Sequence, residues 1–542
     1  MGSLTDDRST FPADPERLAQ YDRARNILAS AEVPLLYDHT DPRHRVFHAL
    51  FDGTGNDADR QPNKLTNIGK LRDQLDALPD EARDGGRIAH AYLSGPGTQQ
   101  GGGVLGTLNK VHDLATGRTF DDRIDRMYGQ LVDQVKEWKR TDTWHDPSIP
   151  DSDLKVAVVT SGFSRGGVQA MGFQRKVSEE GIVDRDGTML IPPGKVAIAA
   201  VALDPVATGR PEKRDLRPGH DLITMLHIGA TDERRRKFPV TEMAPEGVSA
   251  DGSLIGLKLP GAHGDVGGGP KEPGLSNRAG NLAIAYLNGL HSRPLFEPMP
   301  ESLREDLNTV HRPDRTALWR VTEIGSGPAP RDTADGVRQE MAPASFRPPT
   351  GVARDGANEG QRLHAALDDA AETRRLPQSA NAVLGSEYTW RPVQVPLQPT
   401  HPDHPDHQRY MNTAIAVERA FERVGSDQRP APEKIDQIVA NLARDTKEAG
   451  MTDITLARVE NTAQGKVVFA IQGNSADLYD PGNRNTGVPM DGPGLKPTMQ
   501  AFREMETLPD PQQRQQQNAQ QALEATQTAE RMAAPMMRRD QM

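Results

Sequence analysis

Leu154-Lys155-Val156-Ala157-Val158-Val159-Thr160 runs without a break into Ser161-Gly162-Phe163-Ser164-Arg165-Gly166-Gly167. The first half is short, apolar and rich in β-branched residues, which suits a strand buried on both faces of a parallel sheet. The second half spells G-x-S-x-G, and Gly166 to Val177 beyond it has helical spacing. A serine between such a strand and such a helix sits on a cramped turn. Glycines two before and two after it remove side chains that would collide with neighbouring backbone, so the hydroxyl projects outward. The amide of Arg165 then faces an oxyanion formed beside Ser164, helped by the helix N-terminus.

Four further apolar runs end in the same kind of cluster. Val46–Phe51 ends in Asp52-Gly53-Thr54-Gly55-Asn56, and Val196–Leu203 in Asp204-Pro205-Val206. Leu222–Ile228 ends in Gly229-Ala230-Thr231-Asp232, and Leu254–Leu259 in Pro260-Gly261-Ala262-His263-Gly264-Asp265. Helical patterns fall between them, at Arg123–Trp138, Gly166–Val177 and Leu275–Leu290. Alternating strand and helix predicts an α/β fold with a mostly parallel sheet. Ligands of such sheets bind beyond the carboxyl ends of the strands, so the five clusters are expected to meet at one edge.

A serine hydroxyl needs a base, and the base needs an orienting carboxylate. Where this turn serves catalysis, the acid and then the histidine follow the serine along the chain. Asp204 and His263 each end a later strand and are the candidate acid and base. Of the 15 histidines, His227 is the main rival, but it lies inside a strand and is given a supporting role. Gly53 and Thr54 end the first strand, where a backbone amide can serve as second oxyanion donor beside that of Arg165. Asp52 is expected to support that turn.

The remaining features yield less. Gly95 to Gly103 is glycine-rich but lacks the G-K-[ST] ending of a phosphate loop. The stretch Asp232-Glu233-Arg234-Arg235-Arg236-Lys237 reads as a solvated charged turn, unless one arginine fixes a nearby carboxylate. His401-Pro402-Asp403-His404-Pro405-Asp406-His407 has prolines that keep the path extended, so it reads as a turn capping the helix that follows rather than as a metal tract.

Composition narrows the classes. The chain has 542 residues, enough for two to four domains at about 100–200 residues each. Its 65 Lys+Arg against 76 Asp+Glu give a formal charge of -11 with no dense basic tract, which argues against gripping a nucleic-acid backbone. The chain has no cysteine, so a disulfide framework, a thiolate metal site and a Cys nucleophile are excluded. No apolar run approaches the roughly 20 residues that span a bilayer. The polar first 41 residues also lack the apolar stretch of a secretory signal, so the protein is expected to be cytoplasmic or to leave the cell by a route that reads another address. The expected organisation is an N-terminal extension (1–45), an α/β core (46–295), a cap or flank with a Pro-rich linker (296–398), a small α+β domain (399–495) and a Gln-rich flexible tail (496–542). Within the third segment Gln361–Thr373 reads as an amphipathic helix.

Taken in order, Phe51-Asp52-Gly53-Thr54-Gly55-Asn56, Tyr92-Leu93-Ser94-Gly95-Pro96-Gly97-Thr98, Gly162-Phe163-Ser164-Arg165-Gly166, Asp204-Pro205-Val206, Asp232-Glu233-Arg234-Arg235 and Pro260 to Gly269 resemble the α/β-hydrolase family that includes the type VI secretion phospholipase effectors. The resemblance implies Ser164 as nucleophile, Asp204 as acid and His263 as base, with no metal or other cofactor. One departure is Leu203-Asp204-Pro205-Val206, where the family often has an aromatic-Asp-Thr-Val, and Asp265 stays open as an alternative acid. From about residue 400 onward, the His-Pro-Asp tract, the helical Met411–Val424, Val467-Val468-Phe469-Ala470-Ile471-Gln472-Gly473 and the Gln-rich tail resemble the XVIPCD domain, the C-terminal secretion signal of antibacterial type IV secretion effectors. That likeness implies docking on the coupling ATPase of the secretion machine. Together with the hydrolase likeness it leads to the expectation of a lipase delivered into the envelope or periplasm of competing bacteria, with a membrane phospholipid substrate and a cognate immunity protein. An esterase, thioesterase or acyltransferase acting on a soluble ester is the rival enzyme, and a non-catalytic binding effector the rival of another class.

Overall fold

The computed structural model describes residues 10–96, 118–140, 154–207, 218–235, 238–244, 246–249, 251–313, 337–338, 384–425, 429–463, 465–510, 519–521 and 523–528. The glycine-rich loop beyond Pro96, the Gln361–Thr373 helix and most of the expected cap lie outside these residues. The described chain forms two compact units, one from residues 1–299 and 305–396, the other from 300–304 and 397–542.

The first unit is built on a seven-stranded sheet. Its strands are β1 (His44–Phe51), β2 (Ile88–Leu93), β3 (Lys155–Phe163), β4 (Ala197–Leu203), β5 (Leu222–Ala230), β6 (Gly247–Val248) and β7 (Leu254–Leu259). They lie side by side as β6-β7-β5-β4-β3-β1-β2. All neighbours run parallel except the short edge strand β6 against β7. Each of the five apolar runs read from sequence is one of these strands. The chain steps from β1 outward to β2, then returns to place β3 on the other side of β1. That reversal opens a crevice at the carboxyl ends of β1 and β3, the place where such sheets take ligands.

Helices cover both faces, which is why the strands read as unbroken apolar runs rather than alternating ones. Ala157 and Val159 join one buried cluster with Leu28, Leu71 and Ile284. Val156 and Val158 point the other way, toward Met127, Leu131 and Phe173. The helices are α1 (Pro15–Ala29), α2 (Asn67–Asp76), α3 (Arg118–Arg140), α4 (Arg165–Glu180), α5 (His263–Gly267) and α6 (Gly274–Gly289). α1 starts with Pro15 in its first turn and with the Asp14 carboxylate accepting from Arg17 N at 2.8 Å, both favourable at a helix N-terminus.

The segment before residue 46 is more than an extension. Tyr21, Ala24 and Leu28 of α1 are buried in the core, and the Tyr21 hydroxyl donates to the Pro260 carbonyl at 2.8 Å. Sequence reading missed this because the apolar stripe of α1 is narrow and its partner lies far along the chain.

In the second unit α7 (His407–Val424), α8 (Pro432–Glu448) and α9 (Thr498–Thr507) accompany an antiparallel sheet of β8 (Leu456–Thr462), β9 (Gly465–Gln472) and β10 (Arg484–Pro489). Tyr410 and Phe502 meet edge to face at 5.6 Å. Ala501, Phe502 and Met505 of α9 are buried, so the packed part of this unit runs into the segment assigned to the tail. Residues 519–521 and 523–528 are helical and exposed. Among the described residues, no helix is long and apolar enough to cross a membrane.

Candidate active site

β3 delivers Ser164 to the first position before α4, with φ 58° and ψ -124°. A left-handed φ on a residue with a side chain costs of order 1–3 kcal/mol and persists only where surrounding packing imposes it. Here the packing is the two glycines. A Cβ on Gly162 would stand 2.4 Å from the Gly166 carbonyl oxygen, and one on Gly166 would stand 2.2 Å from that of Phe51. The turn is therefore wedged against the end of β1. Ser164 N donates to the Leu203 carbonyl at 3.0 Å, and the Ser164 carbonyl accepts from Val206 N at 3.2 Å. Those two bonds bracket Asp204 and bring the ends of β3 and β4 together.

Asp204 is fully buried and also has a positive φ, 37°. Its Oδ1 accepts from Ala230 N at 2.9 Å, and its Oδ2 lies 2.6 Å from His263 Nδ1. A carboxylate accepts only, so Nδ1 carries the proton and Nε2 keeps its lone pair. The His263 ring lies against Phe163, the residue before Ser164, at 4.5 Å, with Phe238 edge-on at 5.1 Å. Burial holds this imidazole below its usual pKa, while the hydrogen bond and charge of Asp204 pull the other way. The ring is thus neutral and basic near neutral pH.

The end of β1 differs in detail from expectation. Gly53 N donates at 2.7 Å to Asp52 Oδ1, so this amide is turned onto its neighbour's side chain instead of toward Ser164. The amides of Thr54 and Arg165 are the candidate donors that are left. Asp52 also accepts from Thr66 Oγ1 at 2.8 Å and from the Tyr92 hydroxyl at 2.7 Å. Burial raises its carboxyl to about 6 against the pull of these bonds. Tyr92 and Thr66 were not singled out as site residues, since nothing local in the sequence ties them to Asp52.

Asp265 is committed elsewhere. Its Oδ2 accepts from Ala262 N at 2.8 Å and His311 N at 2.9 Å, and its Oδ1 lies 2.5 Å from His311 Nδ1. The geometry therefore gives the His263 ring to Asp204. His227 is buried within β5, level with Ala202 of β4 and Gly256 of β7. The charged stretch after β5 is not a solvated turn at its start: Glu233 and Arg235 are buried and paired at 2.7 Å. In the His401–His407 tract, His401 Nδ1 accepts from Asp403 N at 3.1 Å and His404 Nδ1 from Asp406 N at 3.0 Å. Each ring nitrogen closes a turn. Asp406, whose backbone precedes α7, reaches Lys447 Nζ at 2.8 Å. Among the described residues no His, Asp or Glu cluster has the makings of a metal site.

Residues 45–195 match the family model "T6SS, Phospholipase effector Tle1-like, catalytic domain". Residues 400–507 match the family model "X-Tfes, XVIPCD". The chain joins a Tle1-like catalytic domain to an XVIPCD domain. The first match supports a phospholipase-type effector, and the second supports a link to a secretion system. No curated protein matches the sequence. Among solved structures, an uncharacterized protein from Pseudomonas aeruginosa is 14% identical with a TM-score of 0.32, the match covering 85% of this chain and 75% of that one. The Tle1 effector bound to the VgrG spike of the type 6 secretion system is 21% identical with a TM-score of 0.28, over 42% of this chain and 51% of its own. RedJ, a thioesterase of the prodiginine pathway in Streptomyces coelicolor, is 14% identical with a TM-score of 0.22, over 46% and 95%.

Proposed function

We propose that this Tle1-like, XVIPCD-bearing chain is an antibacterial effector that cleaves acyl esters of glycerophospholipids by a Ser-His-Asp mechanism. The observation that carries the reading is the His263–Asp204 pair at 2.6 Å, set beside the left-handed Ser164 turn. Ser164 Oγ attacks the ester carbonyl carbon while His263 Nε2 takes its proton. Asp204 holds the Nδ1–H side of the ring and stabilises the imidazolium. Charge on the carbonyl oxygen is met by the amides of Thr54 and Arg165, the second at the N-terminus of α4. Collapse of the tetrahedral intermediate breaks the C–O bond, and the imidazolium returns its proton to the departing lysophospholipid oxygen. Water, deprotonated by the same ring, then releases the fatty acid and restores Ser164. Every proton in this cycle is carried by His263.

The XVIPCD domain would dock on the coupling ATPase of a type IV secretion system and deliver the enzyme to the envelope of a target cell. A producing cell would then need an immunity protein that blocks the site.

Two experiments test this. Ser164→Ala should abolish fatty-acid release from phospholipid vesicles while the circular dichroism and thermal midpoint stay those of the parent. Release that survives the substitution would remove Ser164 from the chemistry. Deleting residues 400–542 should stop export into neighbouring cells, and unchanged export would refute the docking role.

A further inference from the structure

The loop after β5 is fastened to the loop that carries His263 more tightly than a connection needs. Asp232 N donates to the Gly261 carbonyl at 2.9 Å, and Asp232 Oδ2 accepts from Gly261 N at 2.8 Å. Glu233 is buried, and its Oε1 accepts from Arg234 N at 2.9 Å, Arg235 N at 2.8 Å and Arg235 Nε at 2.9 Å. Its Oε2 takes Arg235 Nη2 at 2.7 Å and the His263 backbone amide at 3.3 Å. The Arg235 guanidinium carbon lies 3.6 Å from the centre of the Phe238 ring, and that ring meets the His263 imidazole edge-on at 5.1 Å. The imidazole is therefore held between Phe163 and a phenyl ring that is itself backed by a cation.

A buried ion pair is a costly way to hold a loop, because desolvation cancels much of its attraction. The arrangement makes sense if its charges matter to the ring beside them. We propose that Glu233 and Arg235 are positioning residues of the reaction, a charge-balanced clamp that fixes the His263 backbone and keeps the field on its ring close to neutral. This rests on the Ser-His-Asp reading and adds two residues to it.

Charged groups around the imidazole can be named among the described residues. Asp204 faces it from the end of β4, and Glu233 and Arg235 from the loop after β5. Asp265, on its own helix α5, spends its oxygens on Ala262 N and His311. Ser164, from the start of α4, is neutral. Besides burial and Asp204, Arg235 lowers the affinity of the ring for a proton and Glu233 raises it. The two charges act in opposite senses, so removing them singly has opposite consequences. Loss of Glu233 removes the anion that offsets Arg235 and makes the ring harder to protonate. Loss of Arg235 removes the cation that offsets Glu233 and makes it easier.

The test is the acid limb of kcat/KM against pH for the full-length protein, over roughly pH 5 to 8 where an imidazole titrates. The same limb is read independently from the rate at which a fluorophosphonate labels Ser164. Glu233→Gln should move the limb to lower pH and Arg235→Gln to higher pH, each by about half a unit or more for charges at this range. The double variant should return it close to the parent. Arg235→Lys and Glu233→Asp, which keep the charges, should leave the limb in place while lowering kcat, because the bidentate geometry is lost. Shifts of one sign in both single variants, or none in variants that keep the parent's thermal midpoint, would overturn the proposal. Should Arg235→Gln fail to fold, a limb displaced in Arg235→Lys or in the double variant would overturn it equally. A parent protein that neither releases fatty acid nor takes the fluorophosphonate would instead strike down the Ser-His-Asp reading itself.

Discussion

Asp204 divides its two oxygens between a strand and a side chain: Oδ1 takes the Ala230 amide at 2.9 Å, and Oδ2 faces His263 Nδ1 at 2.6 Å. The first bond fastens the carboxylate to the end of β5, so the second cannot wander. A positive φ at Asp204 is the local cost of aiming it that way. Asp204→Asn keeps an acceptor for the amide but presents an NH2 group or a carbonyl oxygen to the ring, and no longer stabilises an imidazolium. We expect kcat on phospholipid to fall by roughly 10⁴-fold. Stability should change little. Steady-state kinetics beside a thermal melt checks both, and a loss below tenfold would separate Asp204 from the reaction.

Strain at Ser164 predicts a gain in stability when its side chain is removed in the right way. Glycine accepts a left-handed φ freely, whereas alanine does not. Ser164→Gly should therefore be more stable than Ser164→Ala by about 1 kcal/mol. Urea midpoints of the two inactive variants measure the difference. Equal midpoints would mean that the turn is relaxed.

Acid sensitivity should originate far from the reacting groups. His48 and His291 stack at 5.2 Å in the core, and among the described residues neither ring has a hydrogen-bond partner. Burial, and then the nearby Arg391 charge, lowers His291 to about 3. Burial also drives His48 well below its ordinary value. In the unfolded chain both titrate near 6.5. Between those limits the unfolded chain binds protons that the folded one refuses. Stability is therefore complete above about pH 6.5 and is lost as pH falls toward 3. His291→Leu should flatten the plot of urea midpoint against pH in that window, and an unchanged slope would assign the acid transition to other groups.

His311 should act in the opposite direction. Burial alone would lower it, but Asp265 and then Glu272 outweigh that and raise it to about 9. The folded state then holds a proton that the unfolded state has lost. The pair's contribution is whole below about pH 6.5 and disappears as pH rises through 9. Because Asp265 also holds Ala262 N, the loop carrying His263 should loosen with it. Hydrogen exchange of the 261–267 amides at pH 7 and pH 10 should show this loosening in the parent and a loop already loose in His311→Gln. Identical exchange in both proteins would show that His311 does not brace the loop.

How far the site could be read in advance depended on whether a residue's job was local. The strands were legible because helices on both faces demand continuous apolar runs, and β1, β3, β4, β5 and β7 all have them. Ser164, Asp204 and His263 stood out because each falls where such a run stops. In the sequence Glu233 and Arg235 read as a solvated turn, because charge in a short polar stretch normally is solvated. Only the loop folding back onto Gly261 and His263 buries them. Gly53 reads as a donor, because nothing in the sequence reveals that its amide turns onto Asp52.

The order of strand and helix, the glycines of the Ser164 turn and the strand-end places of Asp204 and His263 were set by the sequence alone. These follow from side-chain size, apolar spacing and backbone permissiveness, which act over a few residues. Which carboxylate takes the His263 ring, which amide stays open at the end of β1, and whether a charge is buried were decided by tertiary structure. Those depend on contacts between residues tens to hundreds of positions apart, where a shift of one or two ångströms makes or breaks a hydrogen bond.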